Sequence, residues 1–286
     1  MKDFSKFCIG TVQFGIPYGV NKNNSKLIKK SDVEKIFDFF YSKGGEFIDT
    51  AASYGRSERV ISEFILPNSK VITKVELKKN LDLTKIQIEK SLNNLNLSNI
   101  NTLLIHNVDS IKFANFFDLI SNLKSEFNID NIGISIYSPN DILDCAHNLN
   151  DFRNIDVIQA PYNVFDKRLC SSSLFSFIQD NNIRLDIRSI FLQGALLSKK
   201  NSKLLLSENA KYLDSWFNYL KLNKLKPLEG IFSNLDIPDK CLTIFGCNSL
   251  SEIKDIHNSI NAFSDTKFID NLLIPSTVID PRLWSD

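Results

Sequence analysis

The stretch FIDTAASYGRSE, residues 47–58, runs an apolar segment into an acid, Asp49, and puts Tyr54 five positions later in a turn of small residues. A short buried strand gains nothing from a terminal carboxylate, because desolvating an unpaired acid costs several kcal/mol. Asp49 therefore either caps the next segment or has a partner elsewhere in the fold. Short apolar, β-branched runs like this one recur outward in both directions. They are FCIGTV (7–12), EFIDTA (46–51), VITKV (71–75), INTLLIH (100–106), NIGISIY (131–137), DVIQAPY (156–162), RLDIRSI (184–190) and LTIFGC (242–247).

Between most of these runs the apolar residues take helical spacing. SDVE (31–34) and SLSE (249–252) have the form of capping boxes, and Gly44-Gly45 stands where a left-handed C-cap would end the first helix. Near-continuous apolar strands alternating with helices imply a parallel sheet covered on its faces. Eight such units at roughly 30-residue spacing predict an α/β fold, a (β/α)8 TIM barrel with long loops at its C-terminal face. A doubly wound dinucleotide fold is rejected, since the ten glycines include no G-x-G and no phosphate-binding G-x-x-x-x-G-K-[ST]. Two gaps are long: the one before the second run, and the one between RLDIRSI and LTIFGC, which has room for an extra loop or helix over the barrel mouth.

The 286 residues suit one such barrel, and residues 1–286 are read as a single domain. With 43% hydrophobic and 23% charged residues, the chain can build a large core and is not disordered. A formal net charge of +1, without a basic block interleaved with aromatics, argues against a nucleic-acid partner. Cys8, Cys145, Cys170, Cys241 and Cys247 form no C-x-x-C pair and read as free thiols of a reducing cytoplasm. No signal peptide and no run near about 18 apolar residues is present, so no membrane partner is expected. His147 and His257 have no metal-ligand spacing to each other or to the cysteines and read as surface or helix-packing residues; no metal is expected.

In such a barrel the chemistry sits at the carboxyl ends of the strands. Three consecutive runs end in Asp49, Lys74 and His106, with Tyr54 in the loop after the first. Each has a plain structural reading alone, but adjacent strands bring these ends together. A hydride added to a carbonyl carbon leaves an alkoxide that must be protonated, and a tyrosine can supply the proton if its pKa near 10 is brought down. An ammonium about 4 Å away is worth roughly 4 kcal/mol at an effective dielectric of about 20. At about 1.4 kcal/mol per unit this lowers the phenol by up to about three units, less whatever desolvation restores. Asp49 would keep Lys74 charged, and His106 would hydrogen-bond and orient the carbonyl oxygen.

GTVQFG (10–15), FIDTAASYGRSE (47–58), ITK (72–74), LLIHN (103–107), IGIS (132–135) and IQAPYNVFD (158–166) resemble the aldo-keto reductase family, in its order and over most of the chain. The resemblance implies NAD(P)H-dependent reduction of an aldehyde or ketone, with Asp49, Tyr54, Lys74 and His106 as the catalytic four. It implies NADP(H) or NAD(H) held by Gly10 and Thr11, by Ser135 and Gln159 at the nicotinamide, and by Arg188, Ser189, Phe191 and Gln193 in the pyrophosphate loop. At the adenosine end it implies Gly246, Cys247, Asn248, Glu252 and Asp255. Two positions depart: Ile136 stands where the family has Asn, and Arg188 where it has an aromatic that stacks on the nicotinamide. Arg188 can stack by its guanidinium plane, pair with phosphate or a substrate acid, or form a structural ion pair. Glu252 either repels a 2′-phosphate and favours a ribose diol, or completes the capping box with Ser249, so the choice between NADPH and NADH stays open. The resemblance also suggests a small-molecule carbonyl substrate, sugar-like, bounded by Val12, Tyr54, Asn107 and Trp284; Trp284 either closes over the mouth or anchors the tail by packing. Two rivals remain beside the reductase: a nucleotide-binding sensor with weak or no turnover, and an aldolase-type barrel with Lys74 as Schiff-base lysine, which an adjacent Asp49 disfavours. No motif speaks to oligomeric state.

Overall fold

A computed structural model describes residues 3–19, 27–144, 149–199, 209–235, 240–268 and 274–284. Each of the eight apolar runs becomes a strand: β1 (Phe7–Gly10), β2 (Phe47–Asp49), β3 (Lys70–Val75), β4 (Thr102–Ile105), β5 (Asn131–Ser135), β6 (Val157–Pro161), β7 (Arg184–Arg188) and β8 (Cys241–Gly246). All neighbouring strands pair in parallel in sequence order, and β1 closes on β8, with Gly10 opposite both Asp49 and Gly246. The result is the expected (β/α)8 barrel.

Successive side chains on a strand point to opposite faces, and in the barrel this alternation sorts the core in two. Cys8, Ile72, Leu104, Val157, Leu242 and Ile244, with Phe47 against them, form an inner cluster distinct from the larger one between strands and helices. Two residues onward from this inner layer, toward the C-terminal mouth, the same face carries Gly10, Asp49, Lys74, His106, Gln159 and Gly246. Ser135 and Arg188 occupy the corresponding inward positions of β5 and β7. The period of two therefore delivers the chemistry-bearing side chains to one floor.

The helices cover the outer face with amphipathic stripes. Lys30–Ser42 buries Val33, Ile36, Phe37 and Phe40, and it ends as expected: Gly44 takes φ +76°, and the Gly45 amide reaches back to the Phe40 carbonyl at 3.0 Å. The capping box expected at residues 31–34 does not form. The amides of Asp32 and Val33 both bond the Lys29 carbonyl (2.9 and 3.1 Å), so Lys29 is the cap and Ser31 already lies inside the first turn. At the helix Leu250–Ser259, Ser249 does cap, accepting from the Glu252 amide at 3.2 Å. Among its described residues, the long gap before β8 holds the α-helices Ala210–Leu222 and Pro227–Asn234, joined around the buried Trp216, whose Nε1 donates to the Leu196 carbonyl at 3.0 Å. None of their residues lines the cavity at the mouth; the loop expected there comes from the start of the same gap, where Phe191, Gln193, Gly194 and Leu197 line the cavity. Among the described residues no helix is long and apolar enough to cross a membrane. His257 packs edge-on against Phe4 and Phe39, whereas Cys145 and His147 lie outside the described residues.

Candidate active site

Two glycine-containing segments lock together to hold the tyrosine. The Tyr54 amide bonds the Ala51 carbonyl and its own carbonyl accepts from Ser57, closing a tight turn just past β2. The Ser57 hydroxyl donates to the Thr11 carbonyl at 2.8 Å, and the Thr11 hydroxyl donates to the Asp49 carbonyl at 2.9 Å. Gly15 lies so close to this turn that a Cβ there would fall 1.8 Å from the Tyr54 carbonyl oxygen. Thr11 thus does structural work that its reading as a cofactor contact did not foresee.

Below the tyrosine is a buried ion pair. Lys74, 1% exposed, donates to both carboxylate oxygens of Asp49 at 2.7 Å and to the Thr50 carbonyl at 2.8 Å. Its Nζ lies 5.1 Å from the centroid of the Tyr54 ring. Asp49 Oδ1 also accepts from Gln159 Nε2 at 2.8 Å, and Gln159 Oε1 accepts from the Ser135 hydroxyl at 3.4 Å. The His106 ring stands edge-on to Tyr54 at 6.2 Å, with its Nδ1 3.4 Å from the Ser53 hydroxyl.

The electrostatics follow from burial and from this pairing. Burial works against the Lys74 charge, and the Asp49 carboxylate more than reverses it, so the ammonium pKa lies above its ordinary value. Burial raises the Tyr54 phenol; Lys74 pulls it down only in part, because Asp49 cancels much of the ammonium's field, and the phenol ends above its ordinary value. The net lowering expected from a nearby lysine is therefore not met. Burial, then Lys74 and Arg188, bring His106 down to about 4, so its imidazole is neutral near pH 7.

These groups open on a cavity of about 870 Å³ at the barrel mouth. Of the predicted residues, Gly10, Thr11, Val12, Asp49, Tyr54, His106, Ser135, Arg188, Ser189, Phe191, Gln193, Gly246, Asn248 and Glu252 line it. Lys74, Gln159 and Cys247 lie buried behind the wall. Asp255 is exposed on its helix away from the cavity. Asn107 spends its side chain on the backbone of Leu77, accepting from its N–H at 2.7 Å and donating to its carbonyl at 3.0 Å. Trp284 packs against the core with its indole N–H buried and without a hydrogen-bond partner among the described residues, and it is not among the residues that line the cavity. Ile136 is fully buried, offering only its carbonyl, which accepts from Arg188.

The sequence reading missed Tyr18, Tyr137 and Arg282, all of which line the cavity. Tyr137 had a signal: it follows Ser135 by two, so the alternation that turns one inward turns the other inward too. Arg282 lies far along the chain from every strand and had none. The loop after β7 is also unusual. Ser189, Leu192 and Gln193 take φ of 61°, 47° and 53°, followed by Gly194 at 94°. Left-handed non-glycine residues cost about 1 kcal/mol each or more and gather at ligand clamps. At the far end, Glu252 accepts from the Asn248 amide at 2.7 Å and from its side-chain amide at 3.2 Å. The reciprocal capping expected of Glu252 is present, one residue earlier than in the standard box. The wall of the cavity thus carries polar groups from His106 and Ser135 to Asn248 and Glu252, together with the loop after β7.

The sequence model of the Aldo/keto reductase family matches residues 6–270. No curated protein matches the chain. Among solved structures, an aldo-keto reductase from Bacillus halodurans in its holo form superposes with a TM-score of 0.67 at 19% identity, over 91% of this chain and 88% of that one. A glycerol dehydrogenase from Gluconobacter oxydans gives 0.67 at 19%, over 92% and 88%. An aldo/keto reductase from Klebsiella pneumoniae, solved in complex with NADP and acetate, gives 0.64 at 14%, over 91% and 87%. At these identities the likeness establishes a shared fold.

Proposed function

The chain belongs to the aldo/keto reductase family, a carbonyl oxidoreductase using a nicotinamide cofactor, and we propose that it reduces an aldehyde or ketone with Tyr54 as the proton donor. One observation carries this reading: a buried Asp49–Lys74 pair lies directly under a phenol that shares its cavity with a neutral histidine.

The bound cofactor supplies the hydride, and the chain supplies everything else. His106 is held neutral; if its Nδ1 accepts from Ser53, its Nε2–H is free to donate to a carbonyl oxygen and orient it. Tyr54 stays protonated in the resting site and gives its proton to the oxygen as alkoxide character develops. The phenolate left behind is stabilised by Lys74: a unit charge about 5 Å away is worth about 3 kcal/mol at an effective dielectric of about 20, reduced by Asp49. Asp49 positions Lys74 and keeps it charged. That same engagement opposes the aldolase alternative, because a Schiff base needs a neutral, unencumbered amine. For the cofactor, we assign the clamping loop 189–194 and the Gly246–Glu252 end as its binding wall, with Ser135 at the reacting end; a sugar-like substrate and a cytoplasmic location remain part of this proposal.

The test is titration of wild type and Tyr54→Phe with NADPH and NADH by intrinsic fluorescence, then assay of the same samples on a panel of aldehydes. Both proteins should bind cofactor, and Tyr54→Phe should turn over at least about 100-fold more slowly. Binding without turnover in wild type would favour the sensor; absence of binding to either nucleotide would remove the cofactor assignment.

A further inference from the structure

The inner face of β7 carries three charged residues in succession, Arg184, Asp186 and Arg188. Asp186, fully buried, is held by Arg184 through two hydrogen bonds of 2.9 and 3.1 Å. Asp49 is matched to Lys74 in the same way, and His106 is neutral near pH 7. One positive charge is left over. Arg188 makes no ion pair among the described residues; one Nη1 hydrogen goes to the Ser189 hydroxyl (3.1 Å) and one Nη2 hydrogen to the Ile136 carbonyl (2.9 Å). Its remaining N–H groups have no partner among the described residues.

Its surroundings fix where that charge acts. Arg188 lies over the Tyr137 ring at 4.4 Å, and Arg282 lies over the same ring at 3.6 Å. Arg282 is neutralised by Asp280, which it holds through three hydrogen bonds of 2.6 to 3.1 Å. The Ile136 carbonyl and the Tyr137 ring draw the Arg188 guanidinium toward the end of β5, away from the Gly246–Glu252 end of the cavity. Its field reaches Tyr54 and His106, contributing to the shifts of both. The other acids on the cavity wall are engaged elsewhere: Glu252 with Asn248, and Asp32 at 3.7 Å from Lys35. Of the cations on the cavity wall, Arg282 is paired and Lys29 is exposed to solvent, so Arg188 is a half-buried cation with spare donors and no ion-pair partner among the described residues, which calls for an anion from outside.

We propose that Arg188 binds the carboxylate of the substrate, so that the preferred substrates are oxo-acids whose carbonyl lies at Tyr54 and His106 while the acid pairs with the guanidinium across the mouth. One guanidinium, with its planar fork and no second cation beside it that is not already paired, suits a carboxylate monoanion better than a phosphate carrying nearly two charges. This inference rests on the reductase reading, which supplies the carbonyl end of the pose.

The test uses two readouts. In the first, kcat/KM is measured for a series of ω-oxo-acids of increasing chain length and for their methyl esters, with wild type, Arg188→Met and Arg188→Lys. Wild type should prefer one acid over its ester by at least about 30-fold, Arg188→Met should bring that ratio near one through KM, and Arg188→Lys should fall between. In the second, calorimetry follows binding of the matching hydroxy-acid, an unreactive product in the absence of oxidised cofactor, to wild type and Arg188→Met. Binding to wild type alone supports the carboxylate site even if no aldehyde is consumed, in which case the reductase reading falls and the site stands. Turnover without an acid preference, or a preference that survives Arg188→Met, overturns the proposal. A KM for NAD(P)H raised with every aldehyde would make Arg188 a cofactor contact instead, and a phosphorylated aldehyde outcompeting all oxo-acids would overturn the substrate class.

Discussion

At the scale of single residues, the site turns on how a buried lysine is kept charged. Lys74 and Asp49 are each nearly inaccessible, so removing one leaves an unpaired charge that costs about 3 to 5 kcal/mol, whereas removing both leaves none. Lys74→Met should therefore destabilise the barrel by about that amount, and Asp49→Asn combined with Lys74→Met should be more stable than the sum of the single changes, as read by urea unfolding. Independent, additive losses would show that the two groups are not coupled as described. The acid–base arrangement also sets the pH profile. With the phenol raised above its ordinary value near 10, the ammonium raised likewise and the imidazole lowered to about 4, none of these three groups titrates between about pH 5 and 9. The kcat for reduction should be level across that range and fall only on the alkaline side; a limb near pH 6.5 would mean that His106 works as a charged acid.

At the scale of elements, precision comes from contacts between segments far apart in the chain. The turn bearing Tyr54 rests on Gly15, and nothing larger fits. Gly15→Ala should shift that turn and lower kcat by about 10- to 100-fold while circular dichroism stays close to wild type; unchanged kcat would show that the turn tolerates displacement. The helix Leu250–Ser259 poses a different question. Its N-terminal amide at Asn248, a natural seat for an anion, is already occupied by the Glu252 carboxylate. Glu252→Gln should raise affinity for NADPH relative to NADH if the cofactor's phosphate end lies there, and equal ratios in both proteins would leave Glu252 a capping residue only. Element boundaries were legible where backbone chemistry is local: Gly44 had to end its helix because the chain needs a left-handed residue there. They were less legible at the start of that helix, where the Lys29 carbonyl alone receives the first amides and the serine two positions on is not needed.

At the scale of the molecule, burying His106 neutral couples the active site to stability. Its pKa falls on folding from about 6.5 to about 4, so the unfolded chain takes up the proton first as the pH drops. The stability this histidine contributes is present above about pH 6.5 and is lost as the pH falls toward 4, by at most about 3 kcal/mol. A His106→Gln variant should lose less of its thermal stability between those pH values than wild type, and parallel losses would place the acid sensitivity elsewhere. The eight apolar runs, their parallel order and the placing of Asp49, Lys74 and His106 at strand ends were all determined by the sequence itself. A period of two and a short connection are local properties that any folded form must respect. What only the tertiary structure decided are quantities set by distance through space. They include the net upward shift of Tyr54 against the pull of Lys74, the spending of Asn107 on the Leu77 backbone and the occupation of the Asn248 amide by Glu252. They include also the stacking of Arg188 and Arg282 on Tyr137, which leaves one of those charges unmatched. Such balances depend on which side chains from separate strands meet when the sheet closes, and closure is a property of the whole barrel that no segment carries alone.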